Sequence, residues 1–255
     1  MRSKNKDKKN NIKKILVIVL IILILISVIY ILINNYKNQK NRKEMQNLIE
    51  SIEVIPTKEK TEMMLKLEEL QKTNSEIVGW IEIEGTDINY PVLQGSDNSY
   101  YMTHNYKKEY SRDGSIFLDK DYDWSIPSTN LLMYGHNNDN GTMFEDLMNY
   151  KKEQFYKEHQ TIKLTTNNED VEYEIIAVFL SRVYYKSEKN VFRYYYFLNA
   201  ENEQEFNEYI NNSKKESLYN IDKTAEYGDQ LLTLSTCSYH TEDGRLAVVA
   251  RRISK

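Results

Sequence analysis

The C-terminal part of the chain contains a strand–turn–strand pattern that fixes the place of its only cysteine. Residues 231–236 are apolar or β-branched in alternation, which predicts a buried strand with Cys237 at its C-terminal end. Residues 241–244 contain the Asp-Gly pair of a tight connection, and residues 245–252 predict a return strand. Such a hairpin places Cys237 and Arg245 near each other at its mouth.

A second apolar run ends in a histidine. Residues 130–137 read Asn-Leu-Leu-Met-Tyr-Gly-His-Asn, which predicts a strand that delivers His136. A lone cysteine is more often an inert buried residue, because a free thiol packs as a small hydrophobe. Catalysis requires a base or cation that lowers the thiol pKa from about 8.5, and His136 is a candidate for that group.

These segments resemble the sortases, the cysteine transpeptidases of Gram-positive cell surfaces. The resemblance rests on Thr-Leu-Ser-Thr-Cys at 233–237, on Arg245, and on Tyr-Gly-His-Asn at 134–137. Further similar segments extend it over Glu76 to Arg252 in the family's order: Val78–Ile81, Tyr90–Gly95, Asp97–Tyr101 and Gly114–Asp119. The form of the cysteine segment, the Gly-Thr-Met-Phe run at 141–144 and the helical patterns resemble class B.

The resemblance implies a fold, an activity and partners. The expected fold is mainly β with helices (α+β), a sortase-type closed β-barrel with N-terminal helices and a helix inserted between late strands. The expected activity is cleavage of a C-terminal sorting motif of surface proteins through a cysteine thioester. The acyl group then passes to an amine acceptor on a peptidoglycan precursor or a protein. No cofactor is expected.

Three residues supply the thiolate, the proton carrier and the oxyanion donor that cysteine catalysis requires. Cys237 attacks the peptide carbonyl, His136 protonates the leaving amine, and Arg245 stabilises the oxyanion or holds the substrate backbone. No Asp or Glu has the spacing of a histidine-orienting group, which favours Cys-His-Arg over a papain-like triad. A thiol pKa of about 8.5 and an imidazole pKa of about 6.5 leave few active ion pairs at neutral pH and predict slow turnover.

Substrate contacts are implied by the resemblance at three further positions. Ser235 lies two residues before the cysteine, Tyr134 two residues before the histidine, and Asn98 within Asp-Asn-Ser-Tyr-Tyr. Ser235 is a candidate contact for the substrate backbone, and Tyr134 and Asn98 match positions that contact the sorting peptide in class B relatives. An ordinary strand hydroxyl or a packing role explains each of them equally well.

The remaining histidines give weaker signals. His240 lies close to Cys237 in sequence and offers a second base, but residues that near on a strand end usually point apart. His104 and His159 lie in polar loop or helix-end settings, where we expect them to be solvated. One cysteine and scattered histidines match no zinc spacing, so no metal is predicted.

Charge is divided unevenly along the chain. The whole sequence has a net charge of −4, whereas residues 1–36 hold seven basic side chains and one acid, which leaves −10 for the rest. An acidic body argues against nucleic acid as a partner.

Residues 15–33 form an uncharged run of 19 residues interrupted only by Ser27 and Tyr30. At 1.5 Å per residue a helix of this length spans a hydrocarbon core of about 30 Å. The excess of basic residues before the run predicts a cytoplasmic N-terminus and an extracellular body. A cleaved signal peptide is the alternative, but the run exceeds the usual h-region of about 7–15 residues and no Ala-x-Ala site follows it. We therefore expect a single-pass anchor in the cell membrane.

The segment between this anchor and the body predicts one or two helices. Met63, Leu67 and Leu70, joined by Met64, share a helical face, and Thr57 is a candidate cap after Pro56. Helices that pack on the body are one interpretation, and a solvated stalk is the other. The predicted organisation is a basic cytoplasmic terminus (1–14), a transmembrane anchor (15–33), a helical linker (34–75) and a catalytic barrel domain (76–255).

The body itself shows mainly the two-residue period of strands. Pro91 demotes one strand, residues 88–93, to an edge or a bulge. Helices are expected over residues 142–158, with Phe144, Leu147 and Met148 on one side, and over residues 199–212, with Asn199 as the cap and Phe206, Tyr209 and Ile210 on one face. The first strand is predicted to begin at Ile77. Further strands are predicted over residues 88–93, 115–118, 131–134, 161–165 and 171–180, and in the hairpin described above.

Two other functions use the same features. A cysteine endopeptidase that hydrolyses peptide or wall crosslinks would use the same thiolate and histidine, but its product would contain no acceptor amine. A membrane-anchored surface scaffold would hold Cys237 as a structural residue and would keep its binding after mutation of Cys237 to alanine.

Overall fold

The computed structural model describes residues 2–54, 56, 60–126 and 128–253. The chain divides into two compact units, Met1–Leu48 and Ile49–Lys255. Helix α1 (Arg2–Ser51) makes up the first unit and extends three residues into the second, which contains the remaining helices and the strands that follow.

Helix α1 carries the long apolar run of the sequence. An 18-residue stretch within Leu16–Ser51 has a mean hydropathy of 3.6, and α1 is the one helix among the described residues that is long and apolar enough to cross a membrane. The apolar side chains from Leu16 to Ile33 are exposed on every side of the helix, at 44–62%. A helix that is apolar all round requires an apolar environment, which a bilayer supplies.

Helix α2 (Glu62–Thr73) packs against the first strand of the barrel. Its buried side chains are Met64, Leu67 and Leu70, whereas Met63 is partly exposed. Thr61 caps the helix, because its side chain accepts a hydrogen bond from the backbone N–H of Met64. The proposed cap Thr57 lies outside the described residues, and the helix begins five residues after it.

Eight strands form a closed barrel. They are β1 (Ile77–Glu82), β2 (Asn89–Leu93), β3 (Ile116–Leu118), β4 (Asn130–Tyr134), β5 (Thr161–Thr165), β6 (Asp170–Arg182), β7 (Leu231–Cys237) and β8 (Gly244–Arg252). Around the barrel they follow the order β1-β2-β3-β4-β7-β8-β6-β5, and β5 closes onto β1. The pairs β2–β3 and β4–β7 are parallel and the others are antiparallel. The predicted barrel is confirmed.

Pro91 lies within a strand that has neighbours on both sides. It pairs with Trp80 of β1, but the pairing of β2 with β3 covers only Val92 and Leu93. The strand as a whole is therefore not an edge strand. At Pro91 itself one side of the ladder is open, which accommodates a residue without an N–H.

The helix predicted over residues 142–158 is two shorter elements. A 3₁₀ segment (Glu145–Lys151) precedes helix α3 (Glu153–Glu158), and the extended backbone of Lys152 separates them. In a 3₁₀ helix residues three apart share a face, so Phe144, Leu147 and Tyr150 are buried instead of Met148.

Helix α4 (Glu203–Glu216) lies between β6 and β7, where a helix was expected. Its buried residues include Phe206, Tyr209 and Ile210, as predicted. The cap is Asn202, whose side chain accepts from the backbone N–H of Glu205 at 3.0 Å. Asn199 was the wrong choice, because its side-chain oxygen instead accepts from the N–H of Thr129 in the loop before β4.

A buried polar chain joins α4 to the two parallel strands that lead to the site. The hydroxyls of Tyr209 and Thr233 hydrogen bond at 2.9 Å, and Thr233 donates to Asn130 Oδ1 at 2.9 Å. These contacts fix α4 against β7 and β4, since buried polar groups require their partners.

Candidate active site

The parallel pairing of β4 and β7 brings their C-terminal ends together. Tyr134 pairs with Ser235, so the residues that follow each strand emerge side by side at one end of the barrel. At the ends of these strands, Thr236 Oγ1 donates to the carbonyl of Gly135 at 2.8 Å, and Asn137 Nδ2 donates to the carbonyl of Cys237 at 3.0 Å. These bonds hold the histidine segment against the cysteine.

The β7–β8 hairpin places Cys237 directly opposite Arg245, as the sequence predicted. The left-handed backbone of its turn is taken by Asp243 (φ 51°) and not by the glycine after it. Gly244 is required for a different reason. A Cβ there would lie 2.1 Å from the carbonyl oxygen of Ser238, so only glycine permits this close approach.

One cavity of about 240 Å³ brings together all six residues that the sequence predicted as catalytic or substrate-binding. Cys237, His136 and Arg245 line it and are each partly exposed, as expected for groups that meet a substrate. The complete lining is Asn98, Met102, Phe117, Tyr134, Gly135, His136, Val183, Tyr194, Tyr195, Ser235, Thr236, Cys237 and Arg245.

Arg245 is held by its own turn. Its Nη1 donates to the main-chain carbonyls of Asp243 at 3.2 Å and Gly244 at 2.9 Å. Carbonyl acceptors orient the guanidinium without neutralising its charge. The group can therefore meet a developing negative charge in the cavity.

The ring of His136 is oriented by a main-chain carbonyl. Its Nε2 lies 2.7 Å from the carbonyl oxygen of Met102. Met102 ends a short 3₁₀ turn, Tyr100–Met102, and also lines the cavity. The sequence offered no carboxylate for this role, and the contact is made by a backbone atom that residue types do not reveal.

A buried carboxylate supports one wall of the cavity. Asp119 Oδ2 accepts hydrogen bonds from Asn98 Nδ2 at 2.8 Å and from the Tyr134 hydroxyl at 3.0 Å. Asn98 Oδ1 accepts from the N–H of Lys120 at 2.8 Å. Burial, followed by the charge of Asp119 and the hydrogen bond to it, raises the pKa of Tyr134, which stays a neutral donor. Asn98 and Tyr134, two of the predicted substrate-binding residues, are thus held in place by hydrogen bonds within the protein.

Ser235 is likewise engaged. Its Oγ and the hydroxyl of Tyr194 hydrogen bond at 2.7 Å, and both residues are buried. Burial raises the pKa of Tyr194 to about 12, so the phenol stays protonated. This part of the cavity wall therefore consists of two hydroxyl groups that are already hydrogen bonded to each other.

The other three histidines lie away from the cavity lining. His240 is exposed and its Nδ1 lies 2.9 Å from Ser238 Oγ. His104 and His159 were expected to be solvated, but each is partly buried with Nδ1 2.8 Å from a carbonyl oxygen, that of Tyr100 and of Glu84 respectively.

Several lining residues were missed in the sequence, notably Tyr194, Tyr195 and Val183. They come from the tyrosine-rich stretch after β6, where Tyr194–Tyr196 forms a single 3₁₀ turn without a periodic pattern. Within the described residues, no three His, Cys, Asp or Glu side chains gather in a metal-binding arrangement.

Comparison with known families gives a match to the sortase domain over residues 81–253. Among curated proteins, the chain is 31% identical to sortase B of Staphylococcus aureus over 206 residues, covering 80% of this chain and 81% of that protein. It is 35% identical to sortase B of Listeria monocytogenes over 192 residues, covering 74% of this chain and 75% of that protein.

Solved structures agree. Sortase B of Bacillus anthracis in complex with AAEK1 has a TM-score of 0.73 and 32% identity, covering 88% of this chain and 99% of that one. A sortase B complexed with triglycine has a TM-score of 0.72 and 28% identity, covering 86% and 98%. A Staphylococcus aureus sortase B–substrate complex has a TM-score of 0.66 and 28% identity, covering 86% and 94%.

The barrel, its cysteine-bearing strand and these matches define the class of protein. The chain belongs to the sortase family, the cysteine transpeptidases. Within that family, the relatives and structural neighbours make it a class B sortase, as the sequence motifs predicted.

Proposed function

We propose that Cys237 is the nucleophile of a transpeptidase that acts on a C-terminal sorting motif of surface proteins. The observation that carries this proposal is the single cavity shared by Cys237, His136 and Arg245. The thiolate attacks the carbonyl carbon of the scissile peptide bond and forms a tetrahedral intermediate. Collapse of that intermediate leaves a thioester on Cys237.

His136 moves the protons of both half-reactions. As imidazolium it donates a proton to the nitrogen of the leaving amine while the C–N bond breaks. As neutral imidazole it then takes a proton from the incoming amine, which attacks the thioester carbonyl and displaces the thiolate. The partial exposure of His136 within the cavity is compatible with both transfers.

Arg245 faces the charge that develops on the substrate oxygen. Its guanidinium is anchored through Nη1 to two carbonyls of the turn, and its other N–H groups remain for the oxyanion or for the substrate backbone. The register that pairs Arg245 with Cys237 supports a role for these donors at the attacked carbonyl.

The acceptor is an amine on a peptidoglycan precursor or on a protein. Related sortase B structures contain triglycine and a substrate, which supports sites for an acceptor and a sorting peptide in this cavity. Ser235, Tyr134 and Asn98 form the wall that contacts the peptide. Slow turnover stays our prediction for the isolated enzyme.

We also propose that residues 15–33 anchor the protein in the cell membrane. In this arrangement residues 1–14 are cytoplasmic, residues 34–75 are a helical linker, and residues 76–255 form the extracellular catalytic domain. The uniform exposure of apolar side chains along this part of α1 supports an anchor. Protease protection of residues 1–14 in right-side-out vesicles tests the orientation.

The catalytic proposal is tested by intact-mass analysis of the full chain in detergent. The enzyme is incubated with a panel of sorting-motif peptides, with and without an amine acceptor, beside Cys237→Ala. We expect one peptide class to leave an acyl adduct on the wild-type enzyme alone, and the amine to remove that adduct as a new amide.

Two outcomes would contradict the proposal. An adduct that forms equally on Cys237→Ala would remove Cys237 as the nucleophile. An adduct that is released only as free acid, at a rate independent of the amine, would make the enzyme an endopeptidase.

A further inference from the structure

We propose that the main-chain carbonyl of Met102, whose position depends on the missing side chain of Gly114, fixes the His136 ring so that Nδ1 carries the proton in catalysis. This inference rests on the proposed function, in which His136 is the proton carrier. Gly114 and Met102 are then positioning residues for the reaction.

The contact between the Met102 carbonyl and the His136 ring determines which ring nitrogen is protonated. A carbonyl oxygen only accepts hydrogen bonds, so His136 Nε2, at 2.7 Å from the Met102 oxygen, must carry a hydrogen. A neutral imidazole holds one ring proton, which places it on Nε2 and leaves Nδ1 as the base. When the ring becomes imidazolium, the second proton is bound at Nδ1.

The Met102 carbonyl is held in place by its neighbour in the chain. Tyr101, the residue before Met102, is fully buried, and its hydroxyl hydrogen bonds with Glu76 and with Asn74. Its own carbonyl accepts from the N–H of Ser115 at 2.8 Å. The turn that presents Met102 is therefore anchored, by both a side chain and the main chain, to residues that lead into β1 and β3.

Gly114 is the first residue of the Gly-Ser-Ile-Phe-Leu-Asp segment that enters β3. Its φ is +60°, and a Cβ there would lie 2.6 Å from the carbonyl oxygens of both Tyr101 and Met102. These contacts are backbone contacts, which cannot move aside as a flexible side chain can. Any other residue at 114 would displace the oxygen that the histidine contacts.

A neighbouring carboxylate offers the competing explanation. Asp113 is buried beside the same turn and interacts electrostatically with His136. Its oxygens, however, lie 3.3 Å from Asn140 Nδ2, whereas the ring nitrogen contacts the Met102 carbonyl. A carboxylate and a carbonyl make different predictions for variants at position 113.

The tautomer is read directly by nitrogen NMR of the full chain in micelles, with ¹⁵N-labelled histidine and His136→Gln to assign the signal among the four histidines. At a pH where the ring is neutral, we expect a protonated Nε2 and an unprotonated Nδ1 for His136. A predominant Nδ1–H tautomer would overturn the proposal, and the tautomer itself is measured on the unmutated protein.

The role of Gly114 is tested with Gly114→Ala. We expect kcat to fall by about 10- to 100-fold with little change in KM, because the ring is misplaced while the peptide wall is untouched. We also expect the His136 signal to show a mixture of tautomers. A folded variant with wild-type kcat and an unchanged tautomer would remove Gly114 from the proposal.

The matched control is Gly228→Ala. Gly228 also has a positive φ, +105°, but a Cβ there meets nothing within 4 Å, and the residue lies at the other end of the barrel. It reports the effect of backbone strain alone and should leave kcat and the His136 spectrum unchanged. An equal loss of kcat in both glycine variants would attribute the effect to strain and overturn the proposal.

Asp113→Asn separates the two candidate orienting groups. If the carbonyl orients the ring, this variant keeps the Nε2–H tautomer of His136. A shift to the other tautomer would assign the role to Asp113 instead. Failure of the proposed function itself is distinguishable, because it would appear as an absent acyl adduct in the wild-type enzyme, whereas the tautomer is measured without substrate.

Discussion

Strand β8 carries arginines at both of its ends, and they are held in opposite ways. Arg245 is the second residue of the strand and lies at the end of the barrel where β4 and β7 finish, here called the cysteine end, and its Nη1 contacts main-chain carbonyls. Arg251 and Arg252 finish the strand at the opposite mouth, here called the far end. There Arg252 Nη1 lies 3.0 Å from the Glu169 carboxylate, and Arg251 Nε lies 2.7 Å from that of Glu174.

The two kinds of contact distinguish an arginine that is available to a substrate from arginines that stabilise the fold, within one strand. A guanidinium paired with a carboxylate has its charge neutralised and its fork occupied, so it serves the fold. One that contacts carbonyls keeps its full charge for another partner. The far end also has the larger cavity, about 640 Å³, yet none of its lining residues is a cysteine or a histidine. Size alone does not identify the site.

The sharpest test of this division is Cys237→Ala at the cysteine end. We expect acyl transfer to fall by about 10⁴-fold or more, because no other thiol is present, while the free energy of unfolding changes little. Product formation followed by mass spectrometry and urea unfolding measure the two effects. A large loss of stability would mean that the cysteine also supports the barrel.

The next largest effect is expected for Arg245→Lys. A lysine keeps the charge but cannot hold the turn carbonyls and also present a fork of donors, so kcat should fall by about 10²- to 10³-fold. Arg252→Lys at the far end is the matched control, and it should keep kcat. Equal losses in the two variants would erase the distinction between the ends.

A smaller effect is expected for Asp119→Asn. Asn98 and Tyr134 both donate to Asp119, and an asparagine offers one acceptor oxygen in place of a carboxylate. We expect KM for the sorting peptide to rise about fivefold, equivalent to about 1 kcal/mol, with kcat nearly unchanged. The matched control is Asp121→Asn, which alters an exposed neighbouring carboxylate and should leave both KM and kcat unchanged.

The smallest effect on catalysis, and a measurable one on stability, is expected for Glu174→Gln. Burial works to raise the pKa of Glu174, but hydrogen bonds from Lys223 and Arg251 and their charges outweigh it, so the pKa is lowered. We expect a loss of about 1–2 kcal/mol near pH 7 with kcat retained.

The pH dependence of that loss follows from the sign of the shift. A carboxylate whose folded-state pKa is lowered stabilises the fold above its unfolded-state pKa of about 4.3, and the contribution disappears as pH falls through the folded-state pKa. Urea unfolding of wild type and Glu174→Gln should therefore converge in acid. A difference in stability that grows towards low pH would contradict this assignment.

The cysteine hairpin could be predicted because its signals are local. Alternation over β7 and an Asp-Gly turn fix both strands, and pairing of the strands then sets Cys237 opposite Arg245. The Asp-Gly signal does not reveal, however, that Asp243 takes the positive φ and that Gly244 is needed for space. Residue types predict that a turn is present better than they predict which of its residues has a positive φ.

The support of the site could not be predicted in the same way. Met102 orients His136 through a carbonyl that every residue possesses, so no side-chain pattern points to it. Tyr194 lies in a stretch of aromatic residues without periodicity and reaches Ser235 only through tertiary packing. Such contacts join residues that are far apart in the sequence, and secondary-structure propensity and hydrophobic periodicity do not encode them.

The closed order of the barrel strands has a consequence for how an extended peptide is recognised. Because β5 returns to β1, the described ladder offers no outer strand on which a peptide could dock by main-chain pairing. Selection among peptides then falls to the side chains around the cavity and to the loops that carry them. Those positions can diverge between related enzymes while the hydrogen-bonded frame stays the same, so new specificities require no change of scaffold.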